Sequence, residues 1–162
     1  MTGAKVWEGS INVDRDEIAP HAIWVGTDID DGDGVDIVGD LQELWRNVDK
    51  KFDAVFSQAT LEHIERPWVA VHSRCSMLRP GGVLYIQSHH TFPIHGYPSD
   101  YFRFSDEALK VMVRDSGLIV IESGYSHPCF IKPPEGMPAW NELAKSYLNV
   151  AVCAVKPHPD KE

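Results

Sequence analysis

FDAVFSQATLEHI, Phe52 to Ile64, begins as an apolar run and ends on polar groups. Phe52–Gln58 has the length and composition of a buried strand, and Ser57, Gln58, Glu62 and His63 gather at its open end. Fourteen residues past Ile64 comes LRPGGVLYIQSHH, in which the breaker Arg79-Pro80-Gly81-Gly82 launches a second strand over Gly81–Ser88. The connecting stretch His63–Leu78 is long enough for a helix, and Val69, His72, Cys75 and Ser76 are spaced to present one face to a sheet. Strand, helix and strand in that order make a right-handed βαβ unit with parallel strands.

The same alternation extends outward in both directions. Ala22–Ile29 and Tyr147–Pro157 are runs of strand formers, Gly117–Tyr125 is another, and Val35–Asp40 is a brief one. Helical segments are expected over Asp40–Asp49 and Ser105–Ser116. In the latter, Ser105 is the N-cap, Ala108 stands at the third helical position, and Asp106 and Glu107 suit the first turn. Strands buried on both faces and separated by helices predict a Rossmann-like, doubly wound α/β fold with a mostly parallel sheet. One domain over residues 1–157 and a short solvated tail over 158–162 account for the chain.

With 162 residues and a formal net charge of −9, the chain suits a single acidic domain rather than a duplex nucleic-acid or anionic-membrane binder. No apolar run is long enough to span a bilayer, and MTGAKVWEGS lacks the basic-then-apolar order of a secretion signal. Cys75, Cys129 and Cys153 are odd in number and widely spaced, which fits reduced thiols and a cytoplasmic location.

Ligands of such a sheet bind outside the carboxyl ends of its strands. Asp28 stands at one such end and serves equally as a turn former or as an acceptor for two ribose hydroxyls. Asp40 ends the next strand, where it can cap a helix or face an adenine amine. The Gly81–Ser88 strand runs into an irregular loop, SHHTFPIHGYPSDYFRFSDEAL (Ser88–Leu109), that collects His89, His90, His95, Asp100 and Arg103 among aromatics. Three readings suit it: a metal site, a catalytic and substrate-binding loop, or a packed connection.

In order along the chain, GTDI, GVDIVGD, FDAVFSQATLEHI, LRPGGVLYIQSHHTFPIH and PSDYFRFS resemble the class I S-adenosylmethionine-dependent methyltransferases, over roughly Val6 to Pro157. The small branch with a His, Pro, Asp, aromatic and Arg loop is matched at His95, Pro98, Asp100, Tyr101 and Arg103. The resemblance implies an antiparallel last strand, a minimal N-terminal part, and S-adenosylmethionine as donor, with S-adenosylhomocysteine as product. It places Gly9 and Ser10 in the first loop near the methionine carboxylate, Asp28 on the ribose, Ile29 against the adenine, Asp40 with Leu41 at the adenine amine, and Ser57 and Gln58 along the methionine portion. The first loop reads EGSINVD, keeping only Gly9 of the family's GxGxG.

For a hydroxyl acceptor the loop must supply alignment and a base. His95 is the preferred base and His90 the second candidate, with Tyr97, Asp100, Tyr101 and Arg103 forming the acceptor pocket. The expected reaction is transfer to a hydroxyl or amine of a small molecule such as a sugar or metabolite, by a homodimer or with a partner subunit. The reduced first loop suits the alternative of a catalytically silent, protein-binding module. A divalent metal is the less favoured reading. Ala59 stands where the metal-binding E-x-x-E-H pattern of some similar methyltransferases has its first glutamate, and adjacent His89 and His90 point to opposite sides of a strand.

Overall fold

The computed structural model describes residues 5–8, 18–46, 48–49, 51–96, 99–136 and 144–159. They contain strands β1 (Lys5–Glu8), β2 (Ile23–Asp28), β3 (Ile37–Val38), β4 (Phe52–Gln58), β5 (Leu78–His89), β6 (Ile119–Ile131) and β7 (Ala144–Val155), with helices α1 (Pro67–Met77) and α2 (Asp106–Asp115). The strands form one sheet in the order β3-β2-β1-β4-β5-β7-β6. Neighbours from β3 to β5 pair in parallel, and β7 lies antiparallel to both β5 and β6. The expected doubly wound α/β fold with an antiparallel last strand is therefore present. The order reverses between β1 and β4, which places the switch point, and hence the ligand crevice, at their carboxyl ends.

β1, a central strand, has no signature of its own, being four residues bounded by Lys5 and Glu8; only the resemblance implies it. β6 and β7 run longer than their apolar stretches. Their pairing continues through Pro128↔Tyr147 to Ile131↔Ala144, making a ribbon that extends past the end of β5. Over Asp40–Asp49 the described residues form turns and one 3-10 turn, Leu44–Arg46, in place of the expected α-helix. In the breaker, Gly81 has φ +80 and donates its N–H to Lys156 O at 2.8 Å, a left-handed position that favours glycine.

The core lies between one sheet face and the two helices. Leu84 and Ile86 of β5 and Phe52 and Val55 of β4 are buried with Leu109 and Val113 of α2. Each of those two helix residues, four apart on one face, contributes about 1.5–3 kcal/mol by leaving water. α2 begins as its sequence directs, with Ser105 Oγ accepting the Ala108 N–H at 3.2 Å. α1 turns a different face inward from the one expected. Ala70, Val71, Arg74 and Cys75 are buried, whereas His72 is exposed and Val69 and Ser76 are partly so. The reason is Arg74, whose Nη2 donates to Ser57 Oγ at 2.9 Å inside the core. Burial lowers its guanidinium pKa to about 10. No helix among the described residues is long and apolar enough to cross a membrane.

Candidate active site

Two groups of residues meet at the carboxyl rim of the sheet. The first follows β2 and β3. Asp28 Oδ1 accepts the N–H groups of Ile29 (2.6 Å) and Asp30 (3.3 Å), while its Oδ2 has no partner among the described residues. Asp40 Oδ1 accepts the Gln42 N–H at 2.8 Å, and the Gln42 amide reaches both carboxylate oxygens. These turns frame a cleft of about 300 Å³ whose walls include Thr27, Asp28, Ile29, Asp40, Leu41 and His63. That volume is at the lower end of small-molecule sites. Thr27 Oγ1 is buried in this wall without a hydrogen-bond partner, a polar atom suited to a ligand. Ala59, also in the wall, has φ 45, a left-handed conformation that costs a non-glycine residue about 1 kcal/mol. Its N–H donates to Gln87 O at 3.1 Å.

The second group is built around Glu62, in the 3-10 turn Leu61–His63. Its carboxylate is fully buried and accepts the Ser88 hydroxyl at Oε2, 2.6 Å. Three imidazoles stand around it. His89 Nε2 is 3.1 Å and His63 Nε2 3.9 Å from Oε1, and the His95 ring lies 4.9 Å from that of His63 and 5.1 Å from that of His89, centre to centre.

Arg103 holds the loop that carries His95. Its guanidinium engages both oxygens of Asp100, including Nη2 to Oδ2 at 2.7 Å, and also donates to the carbonyls of Phe92, Pro93 and Phe102. All five of its donors are thus used within the loop. Asp100 Oδ2 also accepts the His95 N–H at 2.8 Å. The hydrogen-bonded Arg103 and the His95 N–H hold the Asp100 carboxyl well below the usual carboxylate range. The Tyr101 N–H donates to Glu62 O at 2.7 Å, tying the loop to the glutamate turn, while the Tyr101 ring is half exposed.

The structure brings Asp28, Ile29, Asp40 and Leu41 into the cleft and His95 to its histidine side. Ser57 is not brought there, because its buried hydroxyl faces Arg74 under the sheet; Ala59 and Thr60 line the cleft rather than Ser57 and Gln58. His90 points away from Glu62: its Nδ1 donates to Phe104 O at 2.7 Å and its ring packs on Tyr125. Arg103 and Asp100 are committed to each other. Gly9, Ser10 and Tyr97 lie outside the described residues. Sequence reasoning missed Thr27 in the cleft wall, and it named Glu62-His63 beside His89 and His95 only within the less favoured metal reading, without their convergence on Glu62. The sole advance signal for that convergence was that Glu62-His63 and the loop follow adjacent strands.

Residues 6–86 match the sequence model of a methyltransferase domain. No curated protein sequence matches the chain. Among solved structures, a chain of the complex between the Haloferax volcanii Trm112 methyltransferase activator and a methyltransferase is 17% identical, with a TM-score of 0.68, covering 99% of this chain and 85% of that one. A SAM-dependent methyltransferase of Archaeoglobus fulgidus is 16% identical at a TM-score of 0.70, covering 95% and 86%. The N-methyltransferase NodS of Bradyrhizobium japonicum, solved with S-adenosylhomocysteine, is 13% identical at 0.62, covering 96% and 79%.

Proposed function

This chain belongs to the methyltransferase domain family of S-adenosylmethionine-dependent enzymes, and from that premise we propose that it methylates a hydroxyl or amine of a small molecule such as a sugar or metabolite. The cleft after β2 and β3 fits the donor. Asp28 Oδ2 suits the ribose hydroxyls, Ile29 and Leu41 give apolar walls for the adenine, Asp40 faces its amine, and Thr27 Oγ1 supplies a buried polar atom. Gly9 and Ser10 of the first loop complete this assignment, and at the end of β4 Ala59 and Thr60 take the place expected of Ser57 and Gln58. The bound donor supplies an activated methyl group, and the chain supplies alignment and a place for the acceptor's proton.

The observation that carries this reading is the position of His63, which is at once a wall of the cleft and the neighbour of His95. Donor site and proton-accepting side chains therefore adjoin. We assign His95 first to removal of the acceptor's proton. The Asp100–Arg103 pair positions it, while Tyr97 and Tyr101 flank the acceptor. A shallow depression of about 220 Å³ between Phe92, Ile94 and Tyr101 offers apolar contact for a small acceptor. A partner subunit also enters this proposal, since the Haloferax volcanii neighbour was solved with an activator.

Calorimetric titration of the chain with S-adenosylmethionine and S-adenosylhomocysteine tests the donor site. Saturable binding that weakens about 10- to 100-fold in Asp28→Ala is expected, as for a lost charge-assisted hydrogen bond or two. Equal binding by that variant would sink the assignment. Methylation of a hydroxyl-acceptor panel by wild type but not by His95→Ala would establish the acceptor side.

A further inference from the structure

We propose that Glu62, His63 and His95 bind one divalent transition-metal ion of the zinc class. One ligand atom from each lies within 4.8 Å of the others. Around an ion with bonds of roughly 2.0–2.2 Å such atoms sit about 3.3 Å apart, so small side-chain movements close the set. Two histidines and a carboxylate leave open positions, as in metal sites that carry out chemistry.

Three further observations support the site. Glu62 Oε1 is buried with no aligned hydrogen-bond donor and is faced by the imidazole nitrogens of His89 at 3.1 Å and His63 at 3.9 Å, while its partner oxygen is held by Ser88. A buried carboxylate oxygen in that state calls for a cation. Secondly, the imidazoles are oriented from behind. His63 Nδ1 donates to Ser99 O at 2.7 Å, and His95 Nδ1 faces Pro93 O at 3.2 Å and Asp100 Oδ2 at 3.5 Å. Those partners place the proton on Nδ1 and leave each Nε2 lone pair for a metal, the outer-shell arrangement of histidine ligands. Thirdly, His89 Nδ1 faces Asn149 Oδ1 at 3.1 Å, which turns its Nε2 toward the same Glu62 oxygen. His89 is thus a reserve donor on the buried side. The nitrogen-rich set favours a transition metal over magnesium.

The ion's role rests on the methyltransferase reading, and it refines the part given to His95. The imidazole holds the ion, and the ion binds the acceptor oxygen. The acceptor O–H breaks, its proton going to water as the ion stabilises the alkoxide. The oxygen then forms the new O–CH3 bond while the S–CH3 bond breaks and its electron pair returns to sulfur.

The test uses the full chain stripped with chelator and titrated with Co2+, Zn2+ and Mg2+. One equivalent of Co2+ should give visible absorption bands, displaced by one Zn2+ and unaffected by Mg2+. His95→Ala and His63→Ala should each weaken Zn2+ binding at least ~10-fold, with His72→Ala, on the exposed face of α1, unchanged. His95 is one-third exposed, so its truncation leaves the core intact. Absence of stoichiometric binding, or binding indifferent to both variants, overturns the site. S-adenosylhomocysteine titration of the same samples separates the two readings. Zinc without cofactor binding would leave the metal site standing and overturn its assigned chemistry, whereas cofactor without zinc would overturn the metal site with that chemistry and leave the methyltransferase reading standing.

Discussion

Two loops share the carboxyl rim of the sheet and are built on opposite plans. The turns after β2 and β3 hold themselves: Asp28 bonds to residues one and two positions on, and Asp40 to the residue two positions on. The loop after β5 is clamped on itself by Arg103 and is also held by distant partners, with His63 and Ser99 joined across 36 positions, Glu62 and Ser88 across 26, and Thr91 and Ser146 across 55. The local plan leaves carboxylate oxygens at the surface for a ligand. The distant plan buries its polar groups and fixes side chains in place, which suits residues that must meet a reacting atom at a set distance.

Perturbing each plan at its keystone should separate them. The largest expected effect is Arg103→Ala, which strands the Asp100 carboxylate and three carbonyls. A loss of about 2–3 kcal/mol is expected, lowering the melting temperature by roughly 4–12 °C in a chain of this size, as calorimetry would read. Arg103→Lys should recover little of it, because an ammonium cannot reproduce the five-donor fork. A full rescue by lysine would show that charge alone holds the loop. Next comes Ser105→Ala at the start of α2, where loss of the cap should cost about 1 kcal/mol in urea unfolding. Asp40→Ala should cost less still, since it frees an exposed turn, yet cofactor affinity should fall in titration. Stability loss without affinity loss would reverse the roles assigned to the two loops.

The smallest effect expected is on acid sensitivity. Asp100 has a folded pKa below its unfolded value of about 3.9. On acidification the unfolded chain binds that proton first, so the stabilising contribution is complete above about pH 5 and is lost as pH falls through and below 4. Between pH 5 and pH 3, Asp100→Asn should lose less stability than wild type in parallel urea titrations. Equal losses would mean that Asp100 is not held by Arg103 in solution.

Legibility in the sequence follows the same division. Asp28, Asp40 and the Ser105 cap act within a few residues of themselves, so turn and cap chemistry announces them. The β4–α1–β5 unit was readable for a similar reason, as the alternation of apolar runs with breakers is a local pattern. Two local features weigh against a metal when the sequence is read alone, Ala59 in a motif position and the opposed His89 and His90. Both are true of the chain, but neither bears on His95, which reaches Glu62 only because Tyr101 N–H and Ser99 O fasten the loop across the glutamate turn. Arg74 misled the helix-face reading because a charged residue is placed outside by default. Its burial depends on Ser57, seventeen residues earlier on another element.

The interior position of β7 has a consequence for how the molecule is made. It is the latest of the described strands in chain order, yet it fills the slot between β5 and β6. Leu148 O and Tyr147 O accept the N–H groups of His90 and Thr91, so it also braces the start of the histidine loop. Until β7 inserts, β5 and β6 each present a bare edge open to pairing with other chains. N-terminal segments emerge first during synthesis, and the loop gains its brace only with this late, non-local closure. The half of the sheet nearest the chemistry is thereby the last to assemble and the most exposed to misassembly on the way.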